Sequence, residues 1–236
     1  MSESLLSAYP YLFISLLLLA LFLLLFIAAG DQRRPMLWSA LLSAPYGFLS
    51  IIFVPDYWNP VRIGEWGAGI EDIIFSFANG GIVWFLVTWP LRNRLSLDIQ
   101  IKRMLRRYLV WTAGGTPLGL FLLFMGSDPM HGVLLVLSVM IVVFLWLRSE
   151  LWPLFLVGAV SFGAMYTVTC IIAFSLNPDF LMQWNIQALS GYYFFGVPLE
   201  EIAWSIAFGA VWPLLVAYAF ETRISFRMNN PGKFCL

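Results

Sequence analysis

The sequence GVPLEEIAWSIAFGAVW at residues 196–212 places two adjacent carboxylates, Glu200 and Glu201, directly before a long apolar run. A related sequence, GIEDIIFSFANGG at residues 69–81, places Glu71 and Asp72 in the same position. A helix of about 20 mostly apolar residues crosses the hydrocarbon core of a bilayer. Each stretch therefore predicts a transmembrane helix whose first turn carries two acids.

The rest of the chain has the composition of an integral membrane protein. Of its 236 residues, 61% are hydrophobic and 11% are charged, whereas soluble domains contain about 25% charged residues. The apolar runs predict an all-α fold with seven transmembrane helices. The predicted spans cover residues 11–29, 36–54, 69–89, 108–125, 132–147, 151–176 and 192–218.

The basic residues predict how these spans are oriented. If the N-terminus is outside, every Lys and Arg except Arg62 lies in a cytoplasmic segment. Cytoplasmic loops of membrane proteins carry an excess of Lys and Arg. We therefore expect a multi-pass protein of the inner (cytoplasmic) membrane, with Met1 outside and Leu236 in the cytoplasm.

An internal repeat relates the two acidic sequences. A shift of 129 residues aligns Glu71 and Asp72 with Glu200 and Glu201. Other matches are Ser76 with Ser205, Ala78 with Ala207, Gly80 with Gly209, and, after a small difference in length, Pro55-Asp56-Tyr57 with Pro178-Asp179-Phe180 and Trp58-Asn59 with Trp184-Asn185. The matches predict two parallel three-helix repeats at residues 1–91 and 131–236, the second with a cytoplasmic tail, joined by a basic loop and a connector helix at 92–130.

The four acids are the candidate catalytic residues. Carboxylates inside a membrane are costly, so they usually face a bundle interior and mark function. Two acids that share a buried site cannot both ionise cheaply, and a protonated acid beside an ionised one can act as general acid and general base. Because the site lies in hydrocarbon, we expect an apolar lipid substrate, such as a polyene whose double bond accepts a proton. We assign Glu71, Asp72, Glu200 and Glu201 to this chemistry, without dividing the roles between them.

A structural role for the acids is the alternative. Negative charge in the first turn of a helix complements the helix dipole, which is worth about 0.3 to 1 kcal/mol. One such pair could therefore be an interfacial cap. The duplication of the pair favours the catalytic interpretation.

Aromatic residues follow the acids at helical spacing. Phe75 stands four residues after Glu71, and Trp204 and Phe208 stand four and eight residues after Glu200. Aromatic faces stabilise cations, so we expect these three side chains to contact the substrate, although aromatic anchors are also common at membrane interfaces. Asn79, two turns beyond Asp72, is a fourth candidate, either ordering an acid or bonding to a neighbouring helix.

Several functional classes do not fit this composition. One His and two Cys cannot build a multi-histidine or zinc centre, and the chain contains neither a GxGxxG nor a P-loop sequence. We therefore predict no metal and no cofactor. The thirteen basic residues are balanced by thirteen acidic ones, which argues against a nucleic-acid partner.

The second acidic sequence also resembles a known family. It is similar to the lycopene cyclase domain of the heterodimeric bacterial and fungal type, whose motif is Pro-x-Glu-(Glu/Asp). The matching residues are Trp184-Asn185, Gly191 and Pro198-Leu199-Glu200-Glu201, which an aromatic-rich helix follows. In the first repeat Gly69 stands in place of the proline. The resemblance suggests that two subunits of the split enzymes are fused in one chain.

The resemblance implies the reaction. In this family an acid protonates the terminal double bond of a linear carotenoid at C2, the internal double bond attacks the cation at C1, and a base removes a proton. Loss from C6 gives a β-ring, with no net redox change. The implied partners are a hydrophobic carotenoid taken from the bilayer, membrane lipids and other enzymes of carotenoid synthesis.

Two alternatives stay open at this point. A proton-coupled lipid or small-molecule transporter would also carry repeats and buried carboxylates, and a carotenoid hydratase would differ only in capturing the cation with water. A retinal protein is disfavoured, because neither Lys102 nor Lys233 falls within a predicted span.

Overall fold

A computed structural model describes residues 8–64 and 67–225. It is 79% helical, which confirms the predicted all-α fold class. The α-helices are α1 Pro10–Ala28, α2 Arg33–Ser43, α3 Ser50–Phe53, α4 Ile70–Leu91, α5 Ile101–Phe124, α6 Pro129–Leu147, α7 Trp152–Leu176 and α8 Leu199–Ala219. Two small antiparallel ribbons complete the described part, β1 Leu95–Ser96 with β4 Arg223–Ile224 and β2 Tyr193–Phe194 with β3 Val197–Pro198.

Among the described residues, six helical segments are long and apolar enough to cross a membrane, rather than the seven predicted. They are Pro10–Ala28, Gly30–Phe53, Ile70–Arg94, Pro129–Leu147, Ser149–Leu176 and Leu199–Ala219. The remaining predicted span corresponds to α5, a helix of 24 residues that begins with four basic side chains and contains Gly, Thr and Pro near its centre. This composition lowers its mean hydropathy, and the count of seven stays a prediction.

Two predicted spans differ from the observed helices. The run at 192–218 becomes helical only at Leu199, because the preceding residues form a hairpin whose turn has positive φ at Phe195 and Gly196. The run at 36–54 is divided into α2, a 3-10 helix Ala44–Leu49 and α3. In the middle segment Gly47 packs on α4, where an added Cβ would lie 2.6 Å from the Asp72 carbonyl oxygen.

The two acid-bearing helices each pack against two other long helices. Helix α4 packs against α1 and α2, and α8 packs against α6 and α7. Helices α7 and α8 approach closely because Gly158 and Gly209 face each other, and a side chain on either glycine would overlap the other's carbonyl group. Helix α4 also contacts α7 and α8, so the first turns of α4 and α8 lie near each other.

The loops that precede α4 and α8 pair with each other. Trp58 and Trp184 form an isolated antiparallel β-bridge. The N–H of Asn59 donates to the carbonyl of Gln183 at 2.7 Å, and the N–H of Asn185 donates to the carbonyl of Tyr57 at 2.9 Å. These reciprocal bonds join matched positions of the two acidic sequences and close one end of the bundle over the acids.

Candidate active site

A cavity of about 360 Å³ begins under the paired loops and continues into the bundle. Asp72 and Glu201 lie at one end, and α8 lines it as far as Leu215. The fourteen residues from Glu201 to Leu215 correspond to a helix length of about 21 Å, which is the depth of the cavity along α8. Most of the lining is aromatic or aliphatic with a few polar groups, as is typical of pockets for small apolar ligands.

Asp72 is paired with a buried cation. The guanidinium of Arg62 lies 3.0 Å from Asp72 Oδ2, and both side chains are almost fully buried. The hydroxyl of Tyr11 donates to Oδ1 at 2.9 Å, and the N–H of Gly69 donates to Oδ2 at 2.7 Å. Arg62 is itself held by Ser50 and by the carbonyl of Gly67. This environment stabilises an ionised carboxylate.

Glu201 is held by neutral donors instead. The hydroxyl of Tyr57 and the indole N–H of Trp184 each donate to Oε1 at 3.0 Å, and the hydroxyl of Tyr166 donates to Oε2 at 3.2 Å. Within the described part of the chain, no Lys, Arg or His forms an ion pair with this carboxylate.

The phenol of Tyr57 acts as a donor in this arrangement. Burial, reinforced by the neighbouring Glu201, raises the pKa of Tyr57 well above its usual range. The hydroxyl therefore keeps its proton, which it directs towards Glu201 Oε1.

The residue before each helix contributes to the difference between the partners of Asp72 and those of Glu201. Gly69 is the N-cap of α4, and its N–H is bonded by Asp72 three residues later, as in a capping box. Pro198 is the N-cap of α8 and has no N–H to offer. Glu201 is therefore not engaged by its own helix and remains available to the phenols and the indole.

The first member of each pair points away from the cavity. Glu71 accepts the N–H of Ile63 at 2.7 Å, and Glu200 accepts the N–H of Ser190 at 2.5 Å. Each is therefore bonded to the loop before its own helix, and the Oε2 atom of each is buried without a protein partner among the described residues. Of the four predicted catalytic acids, the structure brings Asp72 and Glu201 to one cavity and turns Glu71 and Glu200 to the loops.

The three predicted aromatic residues line the cavity and stack on one another. The ring centroids of Phe75 and Trp204 are 6.0 Å apart, and those of Trp204 and Phe208 are 5.2 Å apart. The stack continues to Trp212, and Tyr166 packs on Trp204. A column of stacked aromatic rings thus lines the cavity beyond the two carboxylates.

Asn79 also lines the cavity but does not order an acid as one sequence interpretation expected. Its buried amide has no protein partner within the described ranges, so it makes no hydrogen bond to Asp72 or to a neighbouring helix.

Sequence reasoning did not assign the residues that hold the two cavity-facing acids, namely Tyr11, Tyr57, Arg62, Tyr166 and Trp184. One signal was available for Arg62, because it was the only basic residue on the predicted outer side and lies ten positions before Asp72. Trp184 had a weaker signal in its match with Trp58. Tyr57 had a similar signal, because Pro55-Asp56-Tyr57 matches Pro178-Asp179-Phe180. Tyr11 and Tyr166 had none, since each comes from a distant segment.

Comparison with known proteins gives a family match for the C-terminal part of the chain. Residues 129–219 match the model of a family described as lycopene cyclase. The matched segment contains α6, α7 and α8 and includes Glu200 and Glu201. No curated protein and no solved structure matches the chain. The resemblance to the lycopene cyclase domain family is confirmed for this segment.

Proposed function

We propose that the chain is a membrane-embedded carotenoid cyclase that closes an end group of a linear polyene by acid–base catalysis. One observation carries the proposal beyond the family match: two carboxylates of unlike environment, Asp72 and Glu201, share one cavity lined by stacked aromatic rings. The reaction consumes one proton and returns one, so it is an isomerisation that requires no redox cofactor.

Glu201 is the proton donor in this proposal. Burial away from any cation favours the protonated form of a carboxyl, so we assign the transferable proton to Glu201 rather than to Asp72. When the proton passes to the terminal double bond, negative charge develops on Glu201. The phenols of Tyr57 and Tyr166 and the indole of Trp184 already point at its oxygens, and they stabilise that charge without reorganisation.

The aromatic column stabilises the cation that results. Phe75, Trp204 and Phe208 line the apolar cavity and stack on one another. A carbocation is attracted to aromatic faces, and the absence of bulk water from an apolar cavity protects it from capture. The internal double bond can then attack the cation to close the ring.

Asp72 is the proton acceptor. Its pairing with Arg62 keeps it ionised in a buried site, and even a weak base can deprotonate a carbocation. In this division Glu71 and Glu200, which bond to the loops, position the ends of α4 and α8 and do not touch the substrate.

The proposed location follows from the distribution of charge. The apolar helices identify a membrane protein, and the basic residues support the inner membrane with the N-terminus outside and the C-terminus in the cytoplasm. A hydrocarbon polyene dissolved in the bilayer can enter the cavity directly from the membrane. Contact with other enzymes of carotenoid synthesis would shorten that transfer.

Expression in a bacterium that accumulates lycopene tests the proposal. The expected pigment has the mass of lycopene and a shorter effective conjugation. Ring closure consumes the isolated terminal double bond without changing the formula, and the double bond of the new β-ring is twisted out of the plane of the polyene. The Glu201→Gln variant, expressed to the same level in the membrane, provides the control. Unchanged pigment in cells that contain folded wild-type protein would contradict the proposal, and a product heavier by one water would indicate a hydratase instead.

A further inference from the structure

The deeper part of the cavity contains polar atoms that the proposed acid–base chemistry does not use. Asn79 and Ser43 both line the cavity, and they are 1% and 0% exposed. The amide oxygen and nitrogen of Asn79 and the hydroxyl of Ser43 have no hydrogen-bond partner among residues 8–64 and 67–225. An unpaired buried polar group costs about 1 to 3 kcal/mol.

The two side chains belong to one seam between α2 and α4. Ser43 lies against the next residue of α4, Gly80, where an added Cβ would come within 2.7 Å of its hydroxyl oxygen. Ser39, one turn earlier on α2, donates to the carbonyl of Gly80 at 2.6 Å. The indole of Trp212 from α8 donates to Ser39 at 2.9 Å. Ser39, Gly80 and Trp212 are thus paired with one another, whereas Asn79 and Ser43 have no protein partner among the described residues.

The chemistry of these atoms defines the ligand group. An amide offers both a donor and an acceptor, and a serine hydroxyl can serve as either. A single hydroxyl oxygen can satisfy such a pair, because it also donates once and accepts twice. A hydrocarbon cannot form hydrogen bonds with either group.

We propose that Asn79 and Ser43 form a subsite for one hydroxyl oxygen, either on the polyene substrate or in a water molecule. Asn79 is seven residues beyond Asp72 on the same helix, which places the subsite about 10 Å deeper than the carboxylate. The inference rests on the proposed function only in assigning the cavity to a polyene. The hydroxyl oxygen would belong either to such a substrate, at a position away from its reacting end, or to a water molecule beside it.

Binding measurements test the subsite without requiring turnover. Quenching of tryptophan fluorescence gives the affinity of the protein in lipid vesicles for two probes, lycopene and its 19-hydroxy derivative. The hydroxyl of the second probe is on the methyl group of C9, seven bonds along the chain from C2 of the reacting end. The measurements are made in the wild-type protein and in the Glu201→Gln variant. If the chain proves not to be a cyclase, the ratio of the two affinities still reports on the subsite.

The variants change one polar group at a time. Asn79→Leu replaces the amide with an apolar group of similar size, and Ser43→Ala removes the hydroxyl. Thr116→Val is the matched control, because Thr116 lines the same cavity but its hydroxyl already donates to the carbonyl of Thr112 at 2.8 Å. Should the Asn79 variant fail to fold, Ser43→Ala alone answers the question.

The two sources of the oxygen give different results. If the substrate carries it, the wild-type protein binds the hydroxylated probe on the order of tenfold more tightly, and this preference disappears in Asn79→Leu and weakens in Ser43→Ala. If water carries it, the wild-type protein shows no preference, and Asn79→Leu binds lycopene several-fold more tightly. The proposal is overturned if both variants and Thr116→Val bind both probes with the wild-type affinities.

Discussion

The carboxylate of Asp72 lies against a buried guanidinium, whereas that of Glu201 is surrounded by two phenols and an indole. The two acids occupy the third position of helices that begin with related sequences, and both face the same cavity. Similar sequence motifs therefore produce one site that favours an ionised carboxylate and another that contains only neutral donors.

Small differences in sequence separate the two environments. Gly69 supplies an N–H that binds Asp72, and Pro198 supplies none. Arg62 precedes the first pair, and Gly191 stands at the position 129 residues later. The comparison indicates how two similar sequences can give two carboxylates different partners: the residue that caps the helix and one nearby cation differ between them.

Removing the acid should have the largest effect on activity. We expect Glu201→Gln to reduce cyclisation by at least about 100-fold, because an amide cannot transfer a proton to a double bond. Glu200→Gln is the matched neighbour and should cost less than about tenfold, since Glu200 bonds to the loop. Product per folded protein in isolated membranes is the measurement. Near-normal turnover by Glu201→Gln would remove Glu201 from the acid role.

Removing the cation should have the largest effect on stability. We expect Arg62→Met to lower the free energy of unfolding by about 3 kcal/mol, because Asp72 would remain buried without its partner. The double variant Arg62→Met/Asp72→Asn should recover more than half of that loss. Denaturant unfolding in mixed micelles provides the values. Equal stability of the single and double variants would show that Arg62 does not neutralise Asp72.

Removing single donors should distinguish the two carboxylates more finely. Tyr57→Phe or Tyr166→Phe should each reduce turnover about tenfold, since each phenol stabilises the charge that develops on Glu201. Tyr11→Phe should reduce it only about twofold, because Arg62 still holds Asp72. The rates are compared at equal amounts of folded protein. A larger loss for Tyr11→Phe than for the other two would reverse the proposed roles.

Changing the helix cap should have the smallest effect. Pro198→Gly restores an N–H that can bind Glu201 as Gly69 binds Asp72, and we expect turnover to fall about threefold. Pro153→Gly, near the start of α7, controls for the general loss of about 0.4 to 1 kcal/mol when a compatible proline is replaced. If both variants retain the same activity, the N-cap does not contribute to the difference between the two sites.

Much of the scaffold was accessible from the sequence. The apolar runs after Glu71-Asp72 and Glu200-Glu201 predicted two helices that begin with acids, and α4 and α8 do so. Phe75, Trp204 and Phe208 line the cavity as expected, but the spacing that predicted this was counted from Glu71 and Glu200, which bond to the loops. Phe75 and Trp204 instead lie three residues after the cavity-facing Asp72 and Glu201. The hairpin before Leu199 was missed because its aromatic residues continued the apolar run, although Gly191, Gly196 and Pro198 were signals of a turn.

The direction of each acid could not be predicted. Adjacent residues on a helix point about 100° apart, so Glu71 and Asp72, or Glu200 and Glu201, could exchange roles until the neighbouring segments are placed. Those segments are distant in sequence. Tyr11 is 61 residues from Asp72, and Tyr57 is 144 residues from Glu201. Only tertiary packing determines which carboxylate meets a phenol.

The bridge between Trp58 and Trp184 joins segments that are synthesised at different times, so the two carboxylates meet their partners at different stages of biosynthesis. Every group bonded to Asp72, namely Tyr11, Arg62 and Gly69, has left the ribosome before or close to the time when α4 enters the membrane. Glu201 is synthesised later, with α8, and the hydroxyl of Tyr57 can donate to it only after the two loops have paired. The charge of Asp72 can thus be paired early, and the surroundings of Glu201 are completed last. A nascent chain that stops before α8 would carry Asp72 and its partners without Glu201.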